Sequence, residues 1–330
     1  MHRTAQAVVA LIATVASAQL GPINPPAGPV GDTGPDLSQI DGRTPLSAET
    51  TPGDGNSVFR IAASGSYYLT QDLVVPSGRS GIEVAIPNVN IDLNGFSIRG
   101  SSGSLDGVDA DGRERIRVAN GTILGMGRNG VIVDNEFLVE NLIIRSIIGG
   151  DAISVNALGI VRNCIVNSVS GTGNHAVFVD NCCVDIVDCR FGSVGDYAVF
   201  TDGGASVERC HFNNSALGAF RSVTQSSFVG NTVEYVFGTV PSVVVGSDSI
   251  VRDNYIDSGG GFGVDITSTR CRVQNNHIVR GTIRSTGTDN IIIGNTVDAN
   301  IVSTAGDFVG PQITSPASMT TASRFANIVF

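Results

Sequence analysis

Carboxylates recur at fixed offsets behind a repeated pair of residues, a small one (Gly or Ala) followed by an apolar one. The pair returns from Gly81-Ile82 to Gly263-Val264. Two positions after the first residue of each pair stand Glu83, Asp109, Ile132, Ser154, Phe178, Phe200, Arg221 and Asp265. Four positions after it stand Ala85, Asp111, Asp134, Asn156, Asp180, Asp202, Val223 and Thr267. Because strand faces alternate with period two, we expect both sets to point outward, opposite the Val and Ile residues.

Such carboxylates suit two kinds of chemistry. Held about 5 or 10 Å apart on stacked repeats, they fit the acid/base pair of a glycosidase. Several oxygen ligands together also fit Ca²⁺, and like charges in a column raise the pKa of some members. The alternative is structural, because Asp and Asn are common where a strand meets a turn and cap the backbone there.

A six-residue sequence motif, here called the phrase, recurs along the chain and shows that these positions belong to a repeat. Val273-Gln-Asn-Asn-His-Ile278 returns as Val251-Arg-Asp-Asn-Tyr-Ile256, Ile292-Ile-Gly-Asn-Thr-Val297 and Val161-Arg-Asn-Cys-Ile-Val166. Two inward side chains five positions apart cannot share one flat strand, and Asn, Asp and Gly tolerate the left-handed backbone that a bend requires. The phrase therefore predicts strand, corner, strand. Its central positions are Asn94, Asn120, Asn141, Asn163, Asp188, Arg209, Gly230, Asp253, Asn275 and Gly294.

The spacing of those central positions is about 22 residues, a period typical of repeat architectures. A unit of this length with three short strands and three corners predicts an all-β fold, a single parallel β-helix of about ten coils stacked about 4.8 Å apart. No sustained 3.6-residue apolar pattern occurs, so helices should be few. Residues 58–76 are expected to cover the first coil and 307–330 the last, because uncovered strand edges invite aggregation.

The Asn-x-x-Ile/Val corners resemble those of right-handed parallel β-helix repeat proteins of the pectin-lyase-like superfamily. Enzymes of that superfamily generally carry their sites on the outer face of the strand that follows the Gly/Ala pair. The resemblance implies a groove with Phe178 and Phe200 as a sugar-stacking platform and His175 beside it. Its catalytic candidates are Asp109, Asp111, Asp134, Asp180, Asp202 and Arg221.

The sequence lacks most of the catalytic motifs of the known enzymes of this superfamily. Polygalacturonases share Asn-Thr-Asp, Asp-Asp, Gly-His-Gly and Arg-Ile-Lys motifs, of which this chain has only Gly173-Asn174-His175. Pectate and pectin lyases use a basic residue beside Ca²⁺ or an Arg pair, whereas Arg221 stands alone in its column. Whether the chain is an enzyme stays open at this point.

The net charge and the cysteine pattern disfavour several classes of binding partner and metal site. A formal charge of −10 without Lys/Arg clusters argues against nucleic acid and against an anionic polymer, unless a local basic patch or Ca²⁺ intervenes. No cofactor is predicted apart from Ca²⁺, and the six cysteines show no zinc spacing. Cys164, Cys189 and Cys210 follow the central position of the phrase, where adjacent coils allow either disulfides or a packed ladder of thiols.

The ends of the chain differ from the repeat. Residues 1–18 are typical of a signal peptide, with Arg3, an apolar core and Ala16-Ser17-Ala18, which predicts a secreted, periplasmic or cell-surface protein. No apolar run is long enough to span a membrane. Residues 19–56 are predicted to form a flexible Pro/Gly-rich lead, 57–305 the β-helix and 306–330 a cap or tail.

Two functions from different classes fit these residues. One is an extracellular glycan-interacting or structural module. The other is a polysaccharide lyase or glycoside hydrolase acting along the outer groove. A cleft with two carboxylates at glycosidase separation would favour the enzyme, and a flat Ser/Thr-lined face would favour the module.

Overall fold

The computed structural model describes residues 42–234, 236, 240–314 and 323–330. Every regular element among them is a β-strand, and the strands are labelled β1 to β36 in chain order. All the ladders between strands are parallel, as the sequence predicted. The predicted signal peptide lies outside the described residues, and the predicted lead is described only from Gly42 onward.

One strand from each coil stacks into a twelve-stranded sheet, here called the front sheet. It gives about twelve coils, two more than the ten phrases indicated, because the first and last coils lack the phrase. Its members are β2 (Ser57–Ile61), β5 (Ser80–Val84), β8 (Val108–Ala110), β10 (Val131–Asn135), β12 (Ile153–Ala157), β15 (Val177–Val179), β18 (Tyr197–Thr201), β21 (Gly218–Ser222), β24 (Val243–Val245), β27 (Phe262–Ile266), β30 (Thr282–Ser285) and β33 (Ile301–Val302).

The remaining strands form one 24-stranded sheet made of two ladders that share the long strands β9 (Ile116–Leu124) and β11 (Leu138–Ile147). The side ladder follows the front sheet within each coil and contains, besides these two, β1 (Thr44–Pro45), β3 (Gly65–Tyr68), β6 (Val89–Asp92), β13 (Gly159–Arg162), β16 (Val184–Val187), β19 (Ala205–Glu208), β22 (Ser227–Val229), β25 (Ile250–Arg252), β28 (Arg272–Gln274), β31 (Ile291–Ile293) and β34 (Phe308–Val309).

The back ladder completes each coil and leads to the next front-sheet strand. Besides β9 and β11 it contains β4 (Leu73–Val75), β7 (Ser97–Gly100), β14 (Ile165–Val169), β17 (Arg190–Val194), β20 (His211–Ser215), β23 (Thr232–Glu234), β26 (Tyr255–Asp257), β29 (His277–Val279), β32 (Thr296–Val297), β35 (Gln312–Ile313) and β36 (Asn327–Val329).

The corner between side and back ladders is where the repeated phrase lies, and its predicted backbone is confirmed. All ten central positions, from Asn94 to Gly294, have φ between 52° and 67°. This left-handed conformation is strained for most L-residues and is tolerated best by Gly, Asn and Asp. Nine of the ten corners carry Asn, Asp or Gly, and the exception is Arg209. The central residue of the phrase is therefore selected by the backbone conformation of the corner.

Inside the coil, one column of side chains directly follows the corner residue. Asn254 and Asn276 each accept a backbone N–H from the preceding coil, and their own amides donate to backbone carbonyls inside the core. Asn231, Asn295 and Asn327 continue the ladder. The three phrase cysteines occupy the same column in earlier coils as buried free thiols. The thiol-ladder alternative therefore holds for them.

The small residue of the front-sheet pair has a packing reason. A Cβ added at Gly107 would lie 2.5 Å from the carbonyl oxygen of Gly130 and 2.7 Å from Cγ2 of Ile123. Gly81 and Gly130 are equally crowded. The following residues, such as Ile82, Val108 and Val131, are fully buried, so this pair is where the front sheet packs against the back ladder.

The structure corrects the predicted cover of the first coil, whereas strands of the predicted C-terminal cover do pair with the preceding coil. Residues 58–76 were expected to cover the first coil, but 57–75 are themselves that coil, since β2, β3 and β4 each pair with the strand below. The cover is instead formed from Gly42 onward, where Thr44–Pro45 pair with Tyr67–Tyr68 and Leu46 is buried. At the other end, β36 inserts between β32 and β35.

Candidate functional site

The front-sheet register agrees with the column read from the sequence. Glu83 pairs with Asp109, Asp109 with Ile132, and the order continues through Ser154, Phe178, Phe200 and Arg221. Their neighbours Val108, Val177, Val199 and Phe220 are fully buried. The column therefore points outward, as predicted, and lies along one face at about 4.8 Å per coil.

Two groups of predicted residues come together on this face. The first surrounds Asp109, where an open cavity of about 370 Å³ is lined by Glu83, Asp109, Asp111, Arg113 and Arg128. Glu83 and Asp109 are register partners on adjacent coils. Glu83 is held by Arg60, whose Nε lies 3.0 Å from Oε1.

The surroundings of Asp109 differ from those of Glu83. Burial raises the pKa of the Asp109 carboxyl, and the nearby charges of Asp106 and Asp111 add to the rise, while the N–H of Asp111 and the charge of Arg128 oppose it. Asp106 is itself fully buried and is bound by Arg128 and Asn129. One carboxyl of the pair thus has a raised pKa, and it lies beside another that is paired with a cation.

The second group lies three to five coils further along. Phe178 and Phe200 stack with ring centroids 5.8 Å apart and planes 10° apart. His175 lies against both, at 5.7 Å and 5.1 Å. The Arg221 guanidinium carbon lies 5.5 Å from the Phe200 centroid, within cation–π distance. His175, Phe178, Phe200 and Arg221, singled out separately in the sequence, form one aromatic and cationic cluster, here called the platform.

His175 is hydrogen-bonded to one carboxylate and lies near a second. Its Nδ1 lies 3.0 Å from Oδ1 of Asp151, which also accepts the backbone N–H of His175 at 2.6 Å. Its Nε2 lies 3.9 Å from Asp196. Tyr197 follows Asp196 and lies beneath Arg221, and burial raises the pKa of its phenol to about 12, so that it stays protonated at neutral pH.

Asp106, Asn129, Asp151 and Tyr197 were not among the residues selected from the sequence. With Ser80 and His175 they form the column directly before the small residue of the front-sheet pair. Hydrogen bonds join this column from coil to coil between Ser80 and His175. The same small residues that define the two outward columns in the sequence also define this third column, one position before them. The polar residues of this column stand next to the small Gly and Ala residues, and that pattern in the sequence could have identified them as candidate site residues.

The aspartates four positions after the small residue have different surroundings. Asp111 lies in the Asp109 cavity, where its N–H donates to the Asp109 carboxylate at 3.3 Å. Asp134 accepts the side-chain amide of Asn156 at 2.5 Å, a bond between coils. Asp180 and Asp202 are exposed just beyond Phe178 and Phe200. The structure thus separates Asp134 from both groups and leaves Asp180 and Asp202 at the edge of the platform.

No three His, Cys, Asp or Glu side chains in the described ranges form a group that could hold a metal ion. The predicted role of Ca²⁺ stays a prediction. Within the same ranges no helix is long and apolar enough to cross a membrane.

Residues 151–297 match a family model described as the right-handed β-helix region. A solved mannuronic acid-specific family 6 polysaccharide lyase from human gut microbiota is similar in fold, with 10% identity, a TM-score of 0.64 and coverage of 87% of this chain and 85% of the lyase. The A-module of the Azotobacter vinelandii mannuronan C-5 epimerase AlgE4 has 14% identity, a TM-score of 0.41 and coverage of 81% and 86%. Comparison with curated protein sequences gave no match.

Proposed function

We propose that this chain, a right-handed parallel β-helix protein of the pectin-lyase-like superfamily, binds a neutral polysaccharide along the outer face of its front sheet. The observation that carries this proposal is the stack of Phe178 and Phe200 on consecutive coils. Half-buried aromatic rings on consecutive coils of an outward face offer apolar surface to the C–H groups of a sugar.

The charge around the platform favours a neutral glycan over an anionic one. Arg221 is the arginine of the platform, whereas four carboxylates lie in or beside it, those of Asp151, Asp180, Asp196 and Asp202. Carboxylates accept hydrogen bonds from sugar hydroxyls but repel uronates. The formal charge of −10 acts in the same direction.

The test is retention of the mature protein on a panel of polysaccharides, with glucan, mannan and xylan as neutral members and alginate and polygalacturonate as acidic ones. Each is run with and without Ca²⁺, which also tests the cation prediction. We expect retention on a neutral member and a loss of about 5- to 10-fold in affinity for each of Phe178→Ala and Phe200→Ala, since one aromatic contact contributes about 1 kcal/mol.

A matched control is Tyr255→Ala, which removes an exposed aromatic side chain from the back ladder. It should leave retention unchanged. Retention on no neutral polysaccharide, or equal retention of the Phe178→Ala and wild-type proteins, would contradict the proposal.

Glycoside hydrolysis is a second candidate, and the unequal carboxyl pair Glu83–Asp109 favours it. Strands about 4.8 Å apart place such a pair near the separation of about 5–5.5 Å found in retaining glycosidases. In that reaction Asp109, with its raised pKa, would protonate the leaving oxygen. Glu83 would attack the anomeric carbon to form a glycosyl ester, which water then hydrolyses with Asp109 as base.

Release of reducing ends from the retained polysaccharide tests this second function. Asp109→Asn and Glu83→Gln should each abolish release while binding at the platform persists, and Asp134→Asn, outside the cavity, should not. Binding without any release of reducing ends would leave the protein a glycan-binding module. Release that survives both substitutions would exclude this pair as the acid and nucleophile.

Export is part of the same proposal, because a polysaccharide-binding protein with residues 1–18 of signal-peptide type would act outside the cytoplasm. The mass of the protein recovered from outside the producing cell checks it. A mature chain that begins near Gln19 is expected, and a full-length chain retained in the cytoplasm would contradict export.

A further inference from the structure

The back ladder contains a polar cavity that the front-sheet site does not use. It has a volume of about 420 Å³ and lies over Gly192 in the middle of β17. Asn167 on the coil before and Asn213 on the coil after are the register partners of Gly192. The cavity is therefore the space that a side chain at position 192 would occupy, and an amide side chain lies on each side of it.

Glycine at this position is not explained by the backbone or by packing. Residue 192 is absent from the positive-φ positions, so its backbone is open to any residue. An added Cβ would lie 3.6 Å from the carbonyl oxygen of Asn213 and 3.7 Å from Nδ2 of Asn167, which are ordinary contacts. Gly107 on the front sheet is different, because its Cβ would collide with backbone at 2.5 Å. Glycine inside a strand without a conformational reason marks a place where another group approaches the backbone.

The lining of the cavity includes one arginine, Arg190. Arg190 lines it on the same outward face as Gly192, and Arg145 pairs in register with Asn167. Within the described residues, neither arginine has a carboxylate at salt-bridge distance. Glu234 also lines the cavity, and its carboxylate lies 3.3 Å from Nε2 of His211. The Arg190 guanidinium, beside the amides of Asn167 and Asn213, suits a ligand that carries a carboxylate and hydroxyls.

We propose that the Gly192 cavity is a second carbohydrate site and that it takes a carboxylate-bearing sugar. The carboxylate would bind Arg190, the hydroxyls would bind the amides of Asn167 and Asn213, and the apolar face would rest on the Gly192 backbone beside Ile165. The site is separate from the platform, which lies on the front sheet and favours neutral sugars.

The experiment is calorimetric or ligand-observed NMR titration of the full-length mature protein with galacturonate, a galacturonate trimer and galactose. We expect galacturonate or its trimer to bind and galactose to bind at least tenfold more weakly. Gly192→Val should fill the cavity, and Arg190→Ala should remove the carboxylate partner. Each should weaken binding at least tenfold.

Two control variants match these changes. Thr232→Val places a β-branched apolar side chain on the same ladder outside the cavity lining, and Arg272→Ala removes an exposed arginine from the side ladder. Both should bind like the wild type. Thermal unfolding of Gly192→Val, expected at or above the wild-type midpoint, shows that a loss of binding is not a loss of fold.

Binding of neither galacturonate form, equal binding of galactose, or binding that survives Gly192→Val and Arg190→Ala would each overturn the proposal. The double variant Phe178→Ala/Phe200→Ala separates it from the front-sheet site. That variant should keep galacturonate binding while losing the neutral polysaccharide, and a parallel loss of both ligands would also overturn a separate second site.

Discussion

Asn275 and Asn276 are adjacent in the chain and have opposite roles. Asn275 is exposed at the corner with a φ of 57°, while Asn276 is buried and its side-chain oxygen accepts the N–H of Asn254 at 3.1 Å. One residue serves through its backbone and the other through its amide. The same pair of roles recurs at Asp253–Asn254 and Gly294–Asn295.

Substitution at these two positions should therefore differ. Asn276→Ala leaves a buried N–H without its acceptor and should lower the free energy of unfolding by about 1–3 kcal/mol. Asn275→Gly keeps a left-handed corner and should change it by no more than about 0.5 kcal/mol. Urea unfolding followed by circular dichroism measures both. Equal losses for the two variants would refute the division of roles.

Substitution by alanine should change the stability of the protein differently at two glycines. Gly107→Ala forces a Cβ against the Gly130 carbonyl and Ile123, and should destabilise the protein by about 1–3 kcal/mol. Gly192→Ala has room for its methyl group and should be neutral or stabilise by up to about 1 kcal/mol through the unfolded chain. Thermal unfolding of both variants at one pH tests this, and a destabilised Gly192→Ala would show that packing requires that glycine.

The raised pKa of Asp109 makes its contribution to stability pH-dependent. A carboxyl whose pKa is higher in the folded than in the unfolded state stabilises the fold while protonated in both, and this contribution is lost as pH rises through the folded pKa. Asp109→Asn should therefore be more stable than the wild type at pH 7, with a smaller difference at pH 3. Asp202→Asn, at an exposed carboxylate outside the Asp109 cavity, is the control. A difference that shrinks as pH rises would contradict the direction of the shift.

The six cysteines should divide by accessibility. Cys183 is exposed and Cys182 half-buried, with their Sγ atoms 2.8 Å apart, whereas Cys164, Cys189, Cys210 and Cys271 are at most 2% exposed. An aromatic disulfide reagent should release two equivalents of thiolate from the native reduced protein and six after unfolding. The pKa of Cys183 is raised, first by its hydrogen bond with Cys182, so the native reaction should accelerate as pH rises. Four or more reactive native thiols would show that the ladder is open.

The corner residues, the period and the direction of the front-sheet side chains were available from the sequence alone. A left-handed corner selects among very few residue types, and alternation along a strand fixes which side chains face the core. Both are properties of the local backbone. The ten phrases from Asn94 to Gly294 therefore gave the coil and its register, and missed only the first and last coils, which have no phrase.

The environment of each outward residue was decided by the stacked coils. Asp111 and Asp134 occupy the same column of the sequence, but one lies in a cavity beside Asp109 while the other is bound to Asn156. His175 gains its partner from Asp151 on the preceding coil, and Gly192 becomes a cavity only between Asn167 and Asn213. Burial, charge and contact depend on residues about 22 positions away, which local patterns do not contain. Hence the sequence determined the scaffold, and the tertiary structure determined which of its outward side chains act together.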